Sequence, residues 1–230
     1  GIPSHDTFGR VFGLLKADAF EACFLDWVQA VNQVTGGQVI AIDGKELRHS
    51  FDSYIGKKAI HLVSAWASEN RLILAQRKVD SKTNEITAIP ELLDALELAG
   101  CIVTIDAMGC QKEIASKIIE RKADYILAVK ENQGYLYEDI QRLFKLALQE
   151  LNPLQYVEGY AKTVDKDHGR IEIRECWTLS AAFHQPAIRN ADQWEHLTSL
   201  VCIRRERRLP DKTQVEMRYY IASLPPNANR

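Results

Sequence analysis

Two aspartates each follow a short apolar stretch and precede a small residue. Asp43 ends the stretch VIAID before Gly44, and Asp106 ends the stretch VTID before Ala107. In parallel sheets, groups at the carboxyl ends of strands line the ligand crevice. Two carboxylates brought together there repel each other, and a divalent cation between them would relieve that repulsion. Because hard oxygen ligands favour Mg²⁺ or Mn²⁺, the pattern indicates a paired metal site.

The same pattern has a purely structural alternative. Asp106 would then cap a helix that begins near Gln111, and Asp43 would begin a turn. Residue pattern alone leaves both explanations open. If the site is functional, the small residues Ala107 and Gly109 are expected to leave room for a phosphate to approach, whereas Cys110 is expected to be a packed thiol.

Strands and helices alternate around the two aspartates. The order of elements over this part of the chain is strand, strand, strand, helix, strand, helix, strand. Buried strands that alternate with helices favour parallel pairing in the second half of this region. The predicted strands span 38–43, 58–68, 71–79, 101–106 and 124–130, and the predicted helices span 86–100 and 111–122.

Two further regions flank this predicted core. Residues 1–37 form a helical lead-in that Ser4 caps, and its stripe of Phe8, Val11 and Phe12 is expected to pack in a core. Residues 134–230 are expected to hold an amphipathic helix and a β-rich insertion with a long hairpin turning at LPDKT. The predicted organisation is therefore a lead-in (1–37), a catalytic core (38–133) and a helix with an insertion (134–230).

Composition and charge exclude few classes of protein. The 230 residues are 46% hydrophobic and carry a net charge of -2, so only local basic patches would attract nucleic acid or a membrane. The 5 cysteines are odd in number and include no C-x-x-C pair, which is typical of reduced, buried thiols in an intracellular protein. The histidines show no metal-ligand spacing, and no apolar run is long enough for a membrane span. We therefore expect a cytoplasmic protein.

Six stretches, taken in order along the chain, resemble one known family. GIPSHDTFGRVF, IAIDGKELR, TIDAMGCQKEIA, DYILAVKENQ, HGRIEIRE and RYYIASL are similar to the H-repeat-associated insertion-sequence transposases of the DDE superfamily. The resemblance implies an α/β fold: an RNase H-like mixed sheet flanked by helices, with a β-rich insertion after the last core strand. It also implies that two aspartates and a glutamate hold two metal ions for DNA strand cleavage and transfer. By position, Asp43 is the first acid and Asp106 the second.

The third acid of this family is expected on a helix after the insertion, in a stretch resembling HW-x-IEN. The chain ends before such a stretch, so it is expected to be inactive alone, as a fragment, a truncated gene or a decayed copy. Glu172 and Glu175 lie within the insertion, and the pattern there favours surface charges paired with Arg170 or Arg174. Neither glutamate is therefore assigned as the third acid.

Several polar residues near the aspartates and in the insertion are predicted to contact DNA. The expected partners are double-stranded DNA, at the element ends and the target, and a second copy of the chain, with the protein associated with the nucleoid. Two rival interpretations stay open: a non-catalytic DNA-binding remnant of a transposase, and an unrelated α/β phosphatase that uses Asp106 with a metal. The predicted DNA contacts are Lys45, Arg48, Lys130, Asn132, Gln133, His168 and Arg170.

Overall fold

The chain forms two compact units, Gly1–Thr35 and Gly36–Arg230. In the first unit, α1 (His5–Leu14) and α2 (Ala17–Val31) follow one another, and the Ser4 hydroxyl caps α1 by accepting from the Thr7 backbone N–H. No residue of α1 is buried, so the prediction that its apolar stripe packs in a core is wrong. The structure, a computed structural model, describes residues 2–31, 37–46, 61–69, 71–79, 85–149, 157–167 and 169–228.

The second unit is built on a 9-stranded mixed sheet with the strand order β3-β2-β1-β4-β5-β9-β8-β7-β6. β1 pairs with β4, and β4 with β5, in parallel, as the alternation of strands and helices predicts. The remaining neighbours are antiparallel. The strands are β1 (Val39–Glu46), β2 (His61–Ala67), β3 (Leu72–Val79), β4 (Ile102–Ile105), β5 (Asp124–Val129), β6 (Gly159–Asp167), β7 (Arg170–Ser180), β8 (Ser199–Arg208) and β9 (Thr213–Ala222).

Helices pack through apolar stripes that recur at helical spacing. Ile114, Ala115 and Ile118 are the buried residues of α4, and Leu136, Ile140 and Phe144 are buried on α5. α3 ends at Asp94, well before the glycine at which the sequence pattern predicts its end. The helices are α3 (Glu85–Asp94), α4 (Lys112–Glu120), α5 (Gly134–Gln149) and α6 (Ala181–His184), with short 3-10 turns at Ala107–Gly109, Glu131–Gln133, Gln185–Ala187 and Ala191–Gln193.

The parallel strands bury one face more completely than the other. Ile42 on β1, Ile105 on β4 and Leu127 on β5 are level with one another and almost fully buried. The residues that alternate with them, such as Ala41 and Thr104, are only half-buried. The apolar core therefore lies mainly on the Ile42 side of the sheet, and any residue next to Ile42 or Ile105 in sequence points to the opposite face.

The connection between β7 and β8 is fastened to α5 by a buried ion pair. Asp139 is 2% exposed and accepts from the Arg189 backbone N–H at 2.8 Å and from its Nε at 3.0 Å. Burial alone would raise the pKa of Asp139, but the bonds and charge of Arg189 outweigh that effect and lower it. The Arg189 guanidinium also lies 4.5 Å from the centre of the Tyr135 ring. The strands that follow β6 are thus tied to a core helix.

Two composition-based expectations can be compared with this structure. Cys101, Cys110 and Cys202 are buried free thiols, as predicted, whereas Cys23 is exposed. No helix within the described part of the chain is long and apolar enough to cross a membrane. The predicted boundary between residues 133 and 134 remains a prediction.

Candidate active site at the carboxyl edge of the parallel strands

Strand register brings Asp43 and Asp106 to the same edge of the sheet. Ile42 of β1 is paired in parallel with Ile105 of β4, and the next residue on each strand is the aspartate. Adjacent strands lie about 4.8 Å apart, and level residues of neighbouring strands point to the same face. Both aspartates are exposed. The backbones of Asp43 and Asp106 therefore lie at the same edge of the sheet, each directly after one of two level, buried isoleucines.

Asp43 lies within β1, which continues to Glu46, so the alternative in which it begins a turn is wrong. It lies opposite Ser64 of the antiparallel neighbour β2. Lys45 is exposed and is two residues further along β1, which places it on the same face as Asp43. Arg48, the other predicted DNA contact of this segment, lies outside the described residues.

Asp106 caps a short turn instead of the following helix. Its Oδ1 accepts from the Met108 backbone N–H at 3.1 Å and so caps the 3-10 turn Ala107–Gly109. The residue before α4 is Gln111, and the prediction that Asp106 caps that helix is therefore wrong. Among the described residues, the other carboxylate oxygen of Asp106 accepts no hydrogen bond. One oxygen fixes the side chain while the other is available to a ligand.

The turn after Asp106 is packed down onto the core. A Cβ on Gly109 would lie 2.3 Å from Ile105 Cγ2 and 3.1 Å from Ile89 Cδ1, so only glycine fits. The prediction that Gly109 leaves room for a phosphate is wrong, because these two isoleucines occupy that space. Burial raises the pKa of Cys110 to about 12, which confirms the prediction of a packed thiol.

The residues after β5 meet this turn. The Asn132 side-chain amide donates to the Ala107 carbonyl at 2.7 Å, and the Gln133 amide donates to the Cys110 carbonyl at 2.9 Å. Lys130 is exposed and directly follows Val129, the last residue of β5. The structure thus brings Asn132 and Gln133 to the loop that carries Asp106, whereas Lys130 stands at the sheet edge with an exposed side chain.

On β7 and β8, four arginines surround one buried carboxylate. Glu172 is 6% exposed and lies 3.4 Å from Arg170, 2.5 Å from Arg174, 3.1 Å from Arg205 and 3.0 Å from Arg207. Burial alone would raise the pKa of Glu172, but Arg205 and Arg207 outweigh that effect and lower it. The predicted pairing with Arg170 and Arg174 is confirmed, although Glu172 is buried. We call these four arginines the arginine cluster.

Two other predicted residues of the insertion behave differently from Glu172. Glu175 accepts hydrogen bonds from Arg204 at 3.0 Å and from the Tyr160 hydroxyl at 3.0 Å. The prediction that it pairs with Arg170 or Arg174 is therefore wrong. His168 lies outside the described residues. The sequence did not indicate Arg205 and Arg207 as specific partners, because only the register of β7 and β8 brings them beside Glu172.

The arginine cluster lies on the same face of the sheet as Asp106. Asp106 is level with Ala128, which pairs with Tyr220 of β9; further along β9, Glu216 pairs with Arg205. From Tyr220 to Glu216 is an even number of residues, so both point to one face, and the distance along the strand is about 13 Å. Strands β7 to β9 therefore extend past the edge that carries the aspartates, and β7 and β8 present arginines there.

The donor set at the edge suits a hard divalent cation but is incomplete. Within the described ranges, neither Asp43 nor Asp106 makes an ion pair, so their charges are not neutralised by a lysine or arginine. Two adjacent carboxylates of this kind favour Mg²⁺ or Mn²⁺. Across the same residues, no three His, Cys, Asp or Glu side chains are grouped so that they could hold a metal ion. The described part of the chain thus supplies two candidate carboxylate ligands and no third.

Comparison with known proteins points to one family. A family model described as the transposase DDE domain matches residues 35–218. The chain is 40% identical over 237 residues to the H repeat-associated putative transposase YhhI of Escherichia coli K12, covering 100% of this chain and 60% of YhhI. It is 45% identical over 174 residues to the similarly described YbfD of the same strain, covering 76% of this chain and 67% of YbfD.

A solved structure of the piggyBac transposase synaptic complex with hairpin DNA is similar over 83% of this chain and 34% of that one. The TM-score is 0.39 and the sequence identity is 11%. This likeness is too low to support any argument about site residues.

The packing of the turn predicts the effect of a matched pair of glycine substitutions. Gly109→Ala should destabilise the chain by about 1–3 kcal/mol, because the new Cβ collides with the β-branched Ile105. Gly134→Ala, on α5 with nothing within 4 Å of the new Cβ, should be neutral or stabilising by up to about 1 kcal/mol. Urea unfolding of the two variants measures both. Equal stability of Gly109→Ala and the parent chain would contradict this packing.

Proposed function

Because the chain belongs to the DDE transposase family, as a relative of the H-repeat-associated transposases, we propose that it is part of a DNA transposase that cleaves and transfers DNA strands in a metal-dependent reaction. The observation that supports this proposal is the parallel register of β1 and β4, in which the residues directly before Asp43 and Asp106 are paired. They are the first two acids of the active site.

We propose that the core sheet is RNase H-like. The order β3-β2-β1-β4-β5, with an antiparallel half followed by parallel strands, supports this assignment. β6–β9 then form the insertion, which extends the sheet beyond β5. In such a core, the rigid strands hold the two acids in place more precisely than loops would.

Asp43 and Asp106 are the proposed ligands of Mg²⁺ or Mn²⁺. Such ions, when bound, activate a water or a 3′-hydroxyl and stabilise the leaving oxygen. The contribution of this chain is to hold two carboxylates at one edge, where no lysine or arginine of the described ranges pairs with them. One Asp106 oxygen is used by the Met108 N–H, which fixes the direction in which the other oxygen can bind.

The third acid is proposed to lie outside the described residues. Glu172 and Glu175 are each engaged by cationic side chains, and a carboxylate so engaged is a poor metal ligand. The family resemblance assigns the third acid to a helix after the insertion. Since this chain spans 60% of YhhI and 67% of YbfD, we propose that it is inactive alone.

Duplex DNA is the proposed partner, and it would run from the acids towards the insertion. Lys45 and Lys130 are exposed cations at the acid edge. The arginine cluster places four guanidinium groups around one glutamate and therefore carries a net positive charge beyond that edge. Arg170, at 43% side-chain exposure, is its predicted phosphate contact. Arg48, His168, nucleoid association and a homodimer remain predictions.

The alternative function is a non-catalytic DNA-binding remnant of a transposase. A remnant would have the same basic surface as an active transposase, so DNA binding does not distinguish the two functions. Metal-dependent cleavage does distinguish them. A phosphatase of unrelated origin is not supported, because the family match covers both aspartates.

The catalytic proposal predicts which carboxylates are needed for DNA nicking. In a chain extended to the length of its relatives, Asp43→Asn and Asp106→Asn should each slow Mn²⁺-dependent nicking of labelled element ends by at least about a hundredfold, because each removes charge that holds the ions. Asp94→Asn is the matched control, since Asp94 is an exposed acid paired with Lys117 on α4.

The 230-residue chain should nick the same DNA far more slowly than the extended chain. Equal cleavage by the two lengths would show that a third acid is already present. Undiminished nicking by Asp106→Asn would remove that residue from the active site, and absence of nicking by every length would favour the remnant.

The proposed DNA path predicts the salt dependence of binding. Lys130→Gln and Arg170→Gln should each reduce the log–log slope of affinity against salt by about 0.9 on duplex DNA, because each removes one phosphate contact. Lys145→Gln is the control, since Lys145 is an exposed lysine of α5 that lies beside Met217 and Tyr219, which point to the opposite face of β9 from Tyr220. Fluorescence anisotropy at several salt concentrations gives the slopes. Slopes that match the parent in both test variants would remove these residues from the interface.

A further inference from the structure

Two side-chain amides hold the backbone of the turn that carries Asp106. Asn132 and Gln133 belong to the 3-10 turn Glu131–Gln133 that follows β5. Asn132 Nδ2 donates to the Ala107 carbonyl at 2.7 Å, and Gln133 Nε2 donates to the Cys110 carbonyl at 2.9 Å. The two amides, which follow β5, therefore form hydrogen bonds with both ends of the segment 107–110.

A third amide closes the network. Gln133 Nε2 also lies 3.3 Å from Gln111 Oε1, and Gln111 Nε2 donates to the Met108 carbonyl at 3.2 Å. Three carbonyls of the turn, those of residues 107, 108 and 110, thus accept from side-chain amides. From the opposite side, Gly109 packs against Ile105 with no space for a Cβ. The turn is held on both sides.

A hydrogen bond to the turn links the Asp106 side chain to this network. Its Oδ1 accepts from the Met108 N–H, and Met108 is the residue whose carbonyl Gln111 binds. The orientation of the carboxylate therefore depends on the position of the turn. A turn of three residues makes few internal bonds: its own are Cys110 N–H to Ala107 O and Gln111 N–H to Gly109 O. External support is thus needed to fix it.

We propose that Asn132 and Gln133 are positioning residues for Asp106, which act by fixing the 107–110 turn and not by contacting DNA. This inference rests on the proposed function, in which Asp106 is a metal ligand. It assigns the two residues a role that differs from the predicted DNA contact, because one N–H of Asn132 and both N–H groups of Gln133 are already bonded within this chain. A productive site tolerates displacements of only about 0.5 Å. Loss of these hydrogen bonds should therefore weaken the binding of the metal ion.

The test compares Asn132→Ala and Gln133→Ala with Glu131→Ala, an exposed residue of the same turn, in the full 230-residue chain. The probe is Mn²⁺, followed by the paramagnetic broadening of assigned amide signals near the acid edge. We expect the two test variants to weaken Mn²⁺ binding by about tenfold or more and the control to leave it unchanged. In an Asp106→Ala background, Asn132→Ala should have no further effect.

Two independent readouts separate positioning from DNA contact. Hydrogen exchange at the Met108 amide should be at least about tenfold faster in Asn132→Ala and Gln133→Ala, because its partner Asp106 is no longer held in place. Affinity for duplex DNA at fixed salt should stay within about twofold of the parent, since neither variant changes a charge. Melting temperatures identify any variant that is globally unfolded; Gln133→Asn, a shorter amide, then replaces Gln133→Ala.

Each outcome decides one claim. Unchanged exchange at Met108 in both variants overturns the positioning role, and so does weakened DNA binding with unchanged Mn²⁺ binding, which indicates a DNA contact. If Asp43→Ala and Asp106→Ala leave Mn²⁺ binding unaltered, the proposed metal site itself fails. In that case faster exchange at Met108 would still show that the amides hold the turn, so the two failures are distinguishable.

Discussion

The parallel pairing of β1 with β4 is the constraint on which the rest of the site depends. Ile42 and Ile105 are level and buried, so the residue after each must emerge at the same edge and on the opposite face. Two carboxylates brought close together at such an edge would repel each other. The apolar burial of β1 and β4 supplies the rigidity that maintains this arrangement, and exposure to solvent lowers its cost.

Local structure around Asp106 refines this arrangement. The turn that follows Asp106 is fixed by the close contact of Gly109 with Ile105. It is also fixed by hydrogen bonds from the side-chain amides of Asn132 and Gln133, which follow β5. Strands β7 to β9 extend past the same edge, and β7 and β8 carry the arginine cluster. Asp43, Asp106 and the arginine cluster thus lie on, or directly after, strands of one continuous sheet.

Much of this was predictable because strands and helices leave periodic patterns. The strand before Asp106, the hairpin of β8 and β9 and the parallel order of the core all follow from apolar runs and turn residues. The two aspartates were found by the same reasoning, since each interrupts an apolar run. The sequence of one strand does not determine its register with a neighbouring strand. The pairing of β1 with β4 therefore had to come from the structure.

The sequence could not reveal contacts between distant segments. Asn132 and Gln133 carry polar side chains after a strand, a pattern equally typical of ligand contacts, and only the fold shows that they bond to carbonyls of residues 107 and 110. Glu172 is part of an alternating, surface-like strand, yet arginines from β7 and β8 bury it. Gly109 suggested an open approach for a ligand, whereas Ile105 fills that space.

The most direct test of the central claim is an anomalous diffraction map from crystals of the chain soaked in Mn²⁺. We expect a peak within coordination distance, about 2.0–2.3 Å, of carboxylate oxygens of both Asp43 and Asp106. A peak bound only elsewhere, or carboxylates too far apart to share one ion, would contradict the claim that the register of β1 and β4 builds a metal site.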